Sequence, residues 1–129
     1  MKTRIAFAFA TVLLLASFAC KKDEPTKSTP LNVSGTWTGI GLTTDNKTVS
    51  FEISISHSGS TITGSGFSQI SGSLVKTNFS VSGTMNDPNI SLTFKEVLVF
   101  FDGTASATSM SGELSGVPVQ KRATTFTKK

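Results

Sequence analysis

The residues of this chain that could do chemistry are few: one histidine, one cysteine and eight carboxylates among 129 residues. His57 stands in the segment SHSGS, where an imidazole close to several serines could act as their general base. Such catalysis needs an oriented base in a shielded site beside an activated nucleophile. The composition of the segment predicts an exposed hairpin turn, and it matches no nucleophile motif. We therefore expect His57 to be a solvated turn residue.

The spacing of the metal-binding residue types does not fit the common metal sites. Zinc sites need several Cys or His residues at fixed intervals, whereas Cys20 and His57 each stand alone. Asp45, Asp87 and Asp102 lie far apart, without the alternating Asp and Asn residues of a calcium loop. No pair of carboxylates suggests glycosidase chemistry. We predict no metal, no cofactor and no catalytic residue, and expect that the protein is not an enzyme.

The first 19 residues have the layout of an export signal. Lys2 and Arg4 give a basic start, residues 5–15 form a short apolar run interrupted only by Thr11, and the small-x-small step SFA directly precedes Cys20. Such a segment is too short and wrongly flanked for a membrane-spanning helix. Because Cys20 is the only cysteine, no intrachain disulfide can form. A lone cysteine in an exported chain requires an explanation.

The segment LLLASFAC followed by KKDEP resembles a bacterial lipoprotein signal, in which the cysteine is lipidated and becomes the mature N-terminus. Ser17 and Phe18 depart from the usual Leu and small residue of that family, although looser versions are common in the Bacteroidota. The resemblance implies a lipid anchor on Cys20, a membrane as partner, and a location at the bacterial outer membrane. Lys21–Glu24 is similar to a surface-export signal. The alternative is ordinary cleavage after Ala19, which leaves a free thiol.

The charge distribution argues against nucleic acid as a partner. From Cys20 onward the chain holds ten Lys or Arg and eight Asp or Glu, a formal balance of +2. Nucleic-acid binding needs a clustered basic face, but these basic residues are scattered. We expect no nucleic-acid partner.

Any site in this chain must be positioned by β-strands. We predict a signal peptide at 1–19, a flexible anchored linker at 20–30, which is polar and proline-marked, and one β-domain at 31–129. Strict alternation of Val49, Phe51, Ile53 and Ile55 with polar residues is typical of a half-buried strand. Similar patterns predict eight strands: Gly35–Thr43, Thr48–Ser56, Ser60–Phe67, Thr77–Met85, Asn89–Lys95, Leu98–Ser106, Ser109–Ser115 and Gln120–Lys128.

The short links between these strands favour antiparallel pairing of neighbours. The predicted fold class is all-β, a small eight-stranded antiparallel up-and-down barrel, since eight strands can close and remove exposed edges. Repeated Ser-Gly pairs predict bends and close backbone approaches rather than a binding motif. The alternative fold is an immunoglobulin-like β-sandwich, but its hallmark tryptophan belongs on an interior strand, whereas Trp37 lies on the first.

The stretch Gly35-Thr36-Trp37, at the start of the first strand, resembles the Gly-x-Trp motif of lipocalins and avidin-type barrels. The chain looks most like the small lipocalin-like lipoproteins of the Bacteroidota. The resemblance implies that Trp37 plugs one end of the barrel and that a basic residue of the last strand, Arg122, packs across it. The second and third lipocalin motifs and a C-terminal helix are missing.

The apolar residues on the predicted inner face provide the candidate binding site. Such a site would use Trp37, Phe51, Ile53, Phe79 and Phe94, although the same residues could form a packed core. Phe67 is also assigned to the interior. Three functions compete: binding of a small apolar ligand; binding of an envelope protein, for example as a hydrolase inhibitor; and an accessory surface lipoprotein role without a ligand.

Overall fold

The computed structural model of the protein describes residues 29–129. The predicted signal peptide, the candidate lipid attachment site Cys20 and most of the predicted linker lie outside the described residues. Within residues 29–129, no helix has the length and apolar character that crossing a membrane requires.

Eight β-strands make up the described part of the chain, each within a few residues of a predicted strand. The third strand is longer than predicted, which shortens the link that follows it to Ser71–Val75. The strands are β1 (Gly35–Leu42), β2 (Thr48–Ser58), β3 (Thr61–Ile70), β4 (Lys76–Asn86), β5 (Asn89–Phe94), β6 (Val99–Ala105), β7 (Ser109–Gly116) and β8 (Arg122–Lys128).

The strands pair antiparallel in sequence order and close into a barrel. Closure occurs between β1 and β8, where Trp37 lies opposite Lys128 and Thr38 opposite Thr127. The predicted up-and-down barrel is confirmed, and the alternative sandwich is wrong. Short links produce this result because each strand reaches its nearest partner without crossing the sheet.

Glycine pairs allow the barrel wall to bend. Gly103 on β6 lies opposite Gly112 on β7, and a Cβ atom added at Gly103 would lie 2.6 Å from the Cα atom of Gly112. Only glycine permits this close approach of two backbones. This geometry agrees with the prediction that the repeated Ser-Gly pairs allow bends and close backbone approaches.

The two ends of the barrel are built differently. The closed end carries the β2–β3, β4–β5 and β6–β7 turns together with the segment Leu31–Ser34 that leads into β1. The last residue also lies here, because the Lys129 amide donates to the Thr36 carbonyl at 2.9 Å. The mouth is the opposite end, formed by four links of four or five residues: 43–47, 71–75, 95–98 and 117–121.

A cluster of five phenylalanines fills the middle of the barrel. Phe79 and Phe94 stack with ring centroids 4.8 Å apart, and Phe101 meets Phe126 edge-on at 5.2 Å. We call this set the phenylalanine cluster; its members are Phe51, Phe79, Phe94, Phe101 and Phe126.

Phe67 is not part of the phenylalanine cluster, so its predicted interior placement is wrong. On β3 the inward positions include Ile62, Gly64 and Gly66, which alternate with outward Phe67. The Phe67 ring lies on the outer wall, with the Lys76 Nζ atom 4.3 Å from its centroid.

Candidate functional site

A pocket of about 320 Å³ opens at the mouth of the barrel. Each of the four mouth links contributes at least one residue to it, and Phe51 of the phenylalanine cluster belongs to its lining. We call it the mouth pocket. Its apolar lining residues are Val49, Phe51, Ile70, Val75, Val97, Val99, Pro118 and Val119, and its hydroxyl-bearing lining residues are Thr43, Ser68, Ser73 and Thr77.

This pocket suits an apolar ligand because two thirds of its lining residues are apolar and none carries a charge. Ligand pockets typically combine apolar walls with a few placed polar groups. The volume falls at the lower end of the usual range of roughly 300–1,000 Å³. The site can therefore hold a small molecule by burial of apolar surface, with hydroxyl groups to orient it.

Only one of the five predicted ligand-binding residues lines the mouth pocket. Phe51 does so, whereas Phe79 and Phe94 pack against each other in the phenylalanine cluster. Ile53 lies opposite Trp37 toward the closed end, where both side chains are fully buried. These four residues form a packed core beneath the pocket instead of lining it.

Trp37 fills the closed end and has a satisfied polar group. Its side chain is 0% exposed, and its indole Nε1 donates to the carbonyl of Val33 at 2.9 Å. A buried tryptophan usually needs such a partner. Val33, which supplies this carbonyl from the lead segment, is itself completely buried.

The basic residue that packs across Trp37 is Lys128, and the prediction of Arg122 is wrong. The Lys128 Nζ lies 5.5 Å from the Trp37 ring centroid, a distance that permits a cation–π interaction. Arg122 is exposed at the other end of β8, opposite Leu114. Six residues separate the two positions, which is about 20 Å along a strand.

Gly35 of the Gly-x-Trp stretch makes room for this lysine. Its φ of 138° is a conformation that favours glycine, and an added Cβ would meet the Lys128 Cε at 2.7 Å. The Lys128 side chain thus packs over both the glycine and the tryptophan of this stretch.

His57 lies in β2, not in a turn, and the expectation of a solvated turn residue is wrong. Its backbone amide donates to the Ser34 hydroxyl at 2.8 Å, and the Val33 amide donates to its Nδ1 at 3.4 Å. With Nδ1 accepting, Nε2 carries the hydrogen and donates to the Gly59 carbonyl at 2.7 Å. His57 therefore fastens the lead segment to the closed end. Within residues 29–129, His, Cys, Asp and Glu form no group of three that could hold a metal ion.

Two carboxylates at the rim of the mouth are held in the ionised form. A hydrogen bond from the Thr43 hydroxyl, assisted by Lys47, lowers the pKa of Asp45. Hydrogen bonds from the Ser80 amide and hydroxyl lower the pKa of Glu96. Both carboxylates bond to the protein itself, and neither lines the mouth pocket.

A larger groove of about 720 Å³ lies on the outer wall, across β1, β2 and β8. Its lining includes outward-facing hydroxyl groups and the charged residues Glu52 and Arg122. Glu52 accepts a hydrogen bond from Lys129 Nζ at 3.0 Å. Apolar side chains such as Ile40, Leu42 and Phe67 also line the groove. It is nevertheless more open than the mouth pocket and carries charged side chains, so it is less suited to holding an apolar molecule.

Known structures support the fold. A de novo designed fluorescence-activating β-barrel is 14% identical to this chain, with a TM-score of 0.54, and the match covers 74% of this chain and 93% of that one. The structure of EF1p2_mFAP2b bound to DFHBI is 16% identical, with the same TM-score and the same two coverages. No family model matches the chain, and no curated protein matches it. At such low identity the likeness establishes only the fold, a small closed β-barrel.

Proposed function

We propose that this protein is a non-catalytic binding protein that takes up a small apolar ligand in the mouth pocket. The observation that carries the proposal is an uncharged, mostly apolar pocket above a filled barrel interior. The two similar structures add support, because one is a fluorescence-activating β-barrel and the other, EF1p2_mFAP2b, is bound to DFHBI.

The proposal is tested with Nile red, a neutral dye that fluoresces in apolar surroundings. Val97 is half-buried and lines the pocket, so Val97→Trp should fill the site and weaken dye binding at least tenfold. Val75→Trp supplies a second blocking variant at the rim. Phe100→Trp is the matched control, since Phe100 is an exposed residue of the outer wall that lines neither the mouth pocket nor the outer groove.

Equal dye affinity in the wild type and both blocking variants would overturn the mouth pocket as the binding site. Native mass spectrometry of the protein from its own host gives an independent measure. Extra mass that disappears on denaturation is the expected result, and it would identify a natural ligand.

A second candidate function, binding to another protein, is favoured by the exposed apolar residues of the mouth links. Leu74 is 97% exposed and Val117 is 79% exposed, and Leu98 and Val75 are also exposed. Clustered exposed apolar residues often mark interaction sites. If the wild type binds no dye and carries no ligand, this function becomes the better explanation.

We further propose that the protein is a lipid-anchored lipoprotein of a bacterial outer membrane, attached through Cys20. The support is the signal-like sequence before this cysteine. Cys20→Ser should move the protein from the membrane fraction to the soluble fraction and abolish metabolic labelling with an alkyne-tagged fatty acid. A Cys20→Ser variant that still fractionates with membranes would contradict the anchor.

A further inference from the structure

Two of the four hydroxyl groups that line the mouth pocket already serve the protein. The Thr43 hydroxyl bonds to the Asp45 carboxylate and accepts from the Lys47 amide at 3.0 Å. The Ser73 hydroxyl accepts from the Val75 amide at 3.1 Å. Both hydroxyls therefore already have hydrogen-bond partners within the protein and do not need a ligand to supply one.

The other two hydroxyls are those of Ser68 and Thr77. Within residues 29–129, neither makes a hydrogen bond to another group. Ser68 on β3 lies directly opposite Thr77 on β4. Both face inward, because Ser68 is two residues from inward Gly66 and Thr77 is two residues from buried Phe79. Directly opposed side chains are about 5 Å apart at Cβ, so one ligand atom can reach both.

These hydroxyls adjoin the aromatic part of the pocket. Phe51 on β2 lies opposite Ser68 on β3, so Phe51, Ser68 and Thr77 form one row across three neighbouring strands. A polar group of the ligand that bonds to the two hydroxyls would therefore have its apolar body beside the Phe51 ring.

Two of the cations near the mouth pocket, Lys76 and Lys47, are directed elsewhere. Lys76 lies over the Phe67 ring on the outer wall, and Lys47 pairs with Asp45 at 3.2 Å. Since no lining residue is charged, an ionised group inside the pocket would lose hydration without gaining an opposite charge. The pocket therefore disfavours charged ligands.

We propose that Ser68 and Thr77 are specificity-determining residues, and that the ligand is a neutral molecule with an apolar body and one carbonyl or hydroxyl group bonded to this pair. The inference rests on the proposed function of the mouth pocket. It narrows the ligand to compounds such as neutral aromatic ketones or alcohols and excludes free fatty acids in their ionised form.

The test compares three probes on the full chain. Prodan is a neutral naphthalene with one ketone; 2-dimethylaminonaphthalene has the same rings without the ketone; and 1-anilinonaphthalene-8-sulfonate is an anion. The double variant Ser68→Ala with Thr77→Val should weaken prodan roughly fivefold, the value of about one hydrogen bond. Its affinity for the ketone-free analogue should stay unchanged.

Thr63→Val with Ser82→Ala is the matched control, because Thr63 and Ser82 are also opposed on β3 and β4 but face outward. This control should bind prodan as the wild type does. In the wild type the bound ketone should also show the red-shifted emission of a hydrogen-bonded carbonyl, and the Ser68/Thr77 variant should lose that shift.

Failure of this inference differs from failure of the proposed function. If Val97→Trp abolishes prodan binding but the Ser68/Thr77 variant retains full affinity, the pocket stands and the hydroxyl pair is overturned. Sulfonate binding as tight as prodan binding would overturn the requirement for a neutral ligand. If Val97→Trp affects no probe, the mouth pocket itself is overturned.

Discussion

The closed end and the mouth of the barrel differ in how their side chains are buried and hydrogen-bonded. At the closed end, Trp37 and Val33 are fully buried, and the indole, the His57 ring and the lead segment satisfy one another's hydrogen bonds. At the mouth, five large apolar side chains are exposed: Ile70, Leu74, Val75, Leu98 and Val117. The comparison indicates that buried, hydrogen-bonded packing is concentrated at one end, and the proposed ligand site lies at the other.

The phenylalanine cluster makes this division possible. It separates the buried residues around Trp37 from the mouth pocket, so that a change in one half need not reach the other. Variants at each end should therefore affect stability and binding separately.

The largest expected effect belongs to Trp37→Ala. Truncation of a fully buried tryptophan should lower the free energy of unfolding by about 3–5 kcal/mol, measured by urea denaturation. Val117→Ala at the mouth removes an exposed apolar side chain and should change stability by less than about 0.5 kcal/mol. Similar losses at both positions would remove the distinction between the two ends.

His57→Ala should have an intermediate effect. It removes the acceptor for the Val33 amide and the donor to the Gly59 carbonyl, at a cost of about 1–2 kcal/mol. His57→Asn, whose side-chain oxygen can replace Nδ1, should recover part of the loss. Dye binding at the mouth should be the same in all three proteins, and a change in affinity would show that the ends are coupled.

The smallest effect is expected from Glu96→Gln, and it should depend on pH. Because the pKa of Glu96 is lower in the folded protein than its ordinary value of 4.5, its contribution to stability is present above that value. The contribution is lost as the pH falls through the folded pKa. Between pH 7 and pH 3 the melting temperature should therefore fall less for Glu96→Gln than for the wild type. An equal fall would contradict a role for the Ser80 hydrogen bonds.

Much of the fold could be predicted from the sequence because β2 alternates apolar and polar residues without exception from Val49 to Ile55. The same reasoning failed at Phe67, where the inward positions Gly64 and Gly66 have no side chain and leave the alternation invisible. His57 was misplaced because the serines around it are equally common in turns and on strand faces.

The candidate site was harder to predict than the strands. The predicted antiparallel barrel already places the C-terminal end of β8 beside the start of β1, so the topology favoured Lys128 over Arg122. Only the exact pairing of Trp37 with Lys128 depends on the register at closure. Ser68 falls within the predicted link 68–76, so no strand pattern gives it a direction. Thr77 begins the predicted strand Thr77–Met85, and alternation with Phe79 would have placed it inward, but nothing in the sequence marks it as part of a site. In a chain so rich in Ser and Thr, residue type alone does not distinguish an inward hydroxyl from a solvated one.

The described lead segment and the last residue both lie at the closed end, and this arrangement has a mechanical consequence. A force that pulls Leu31 away from Lys129 acts on β1 and β8, which are neighbours in the sheet and join the barrel through a short pairing. The load falls on one hydrogen bond at a time, so these strands should peel apart at low force instead of shearing together.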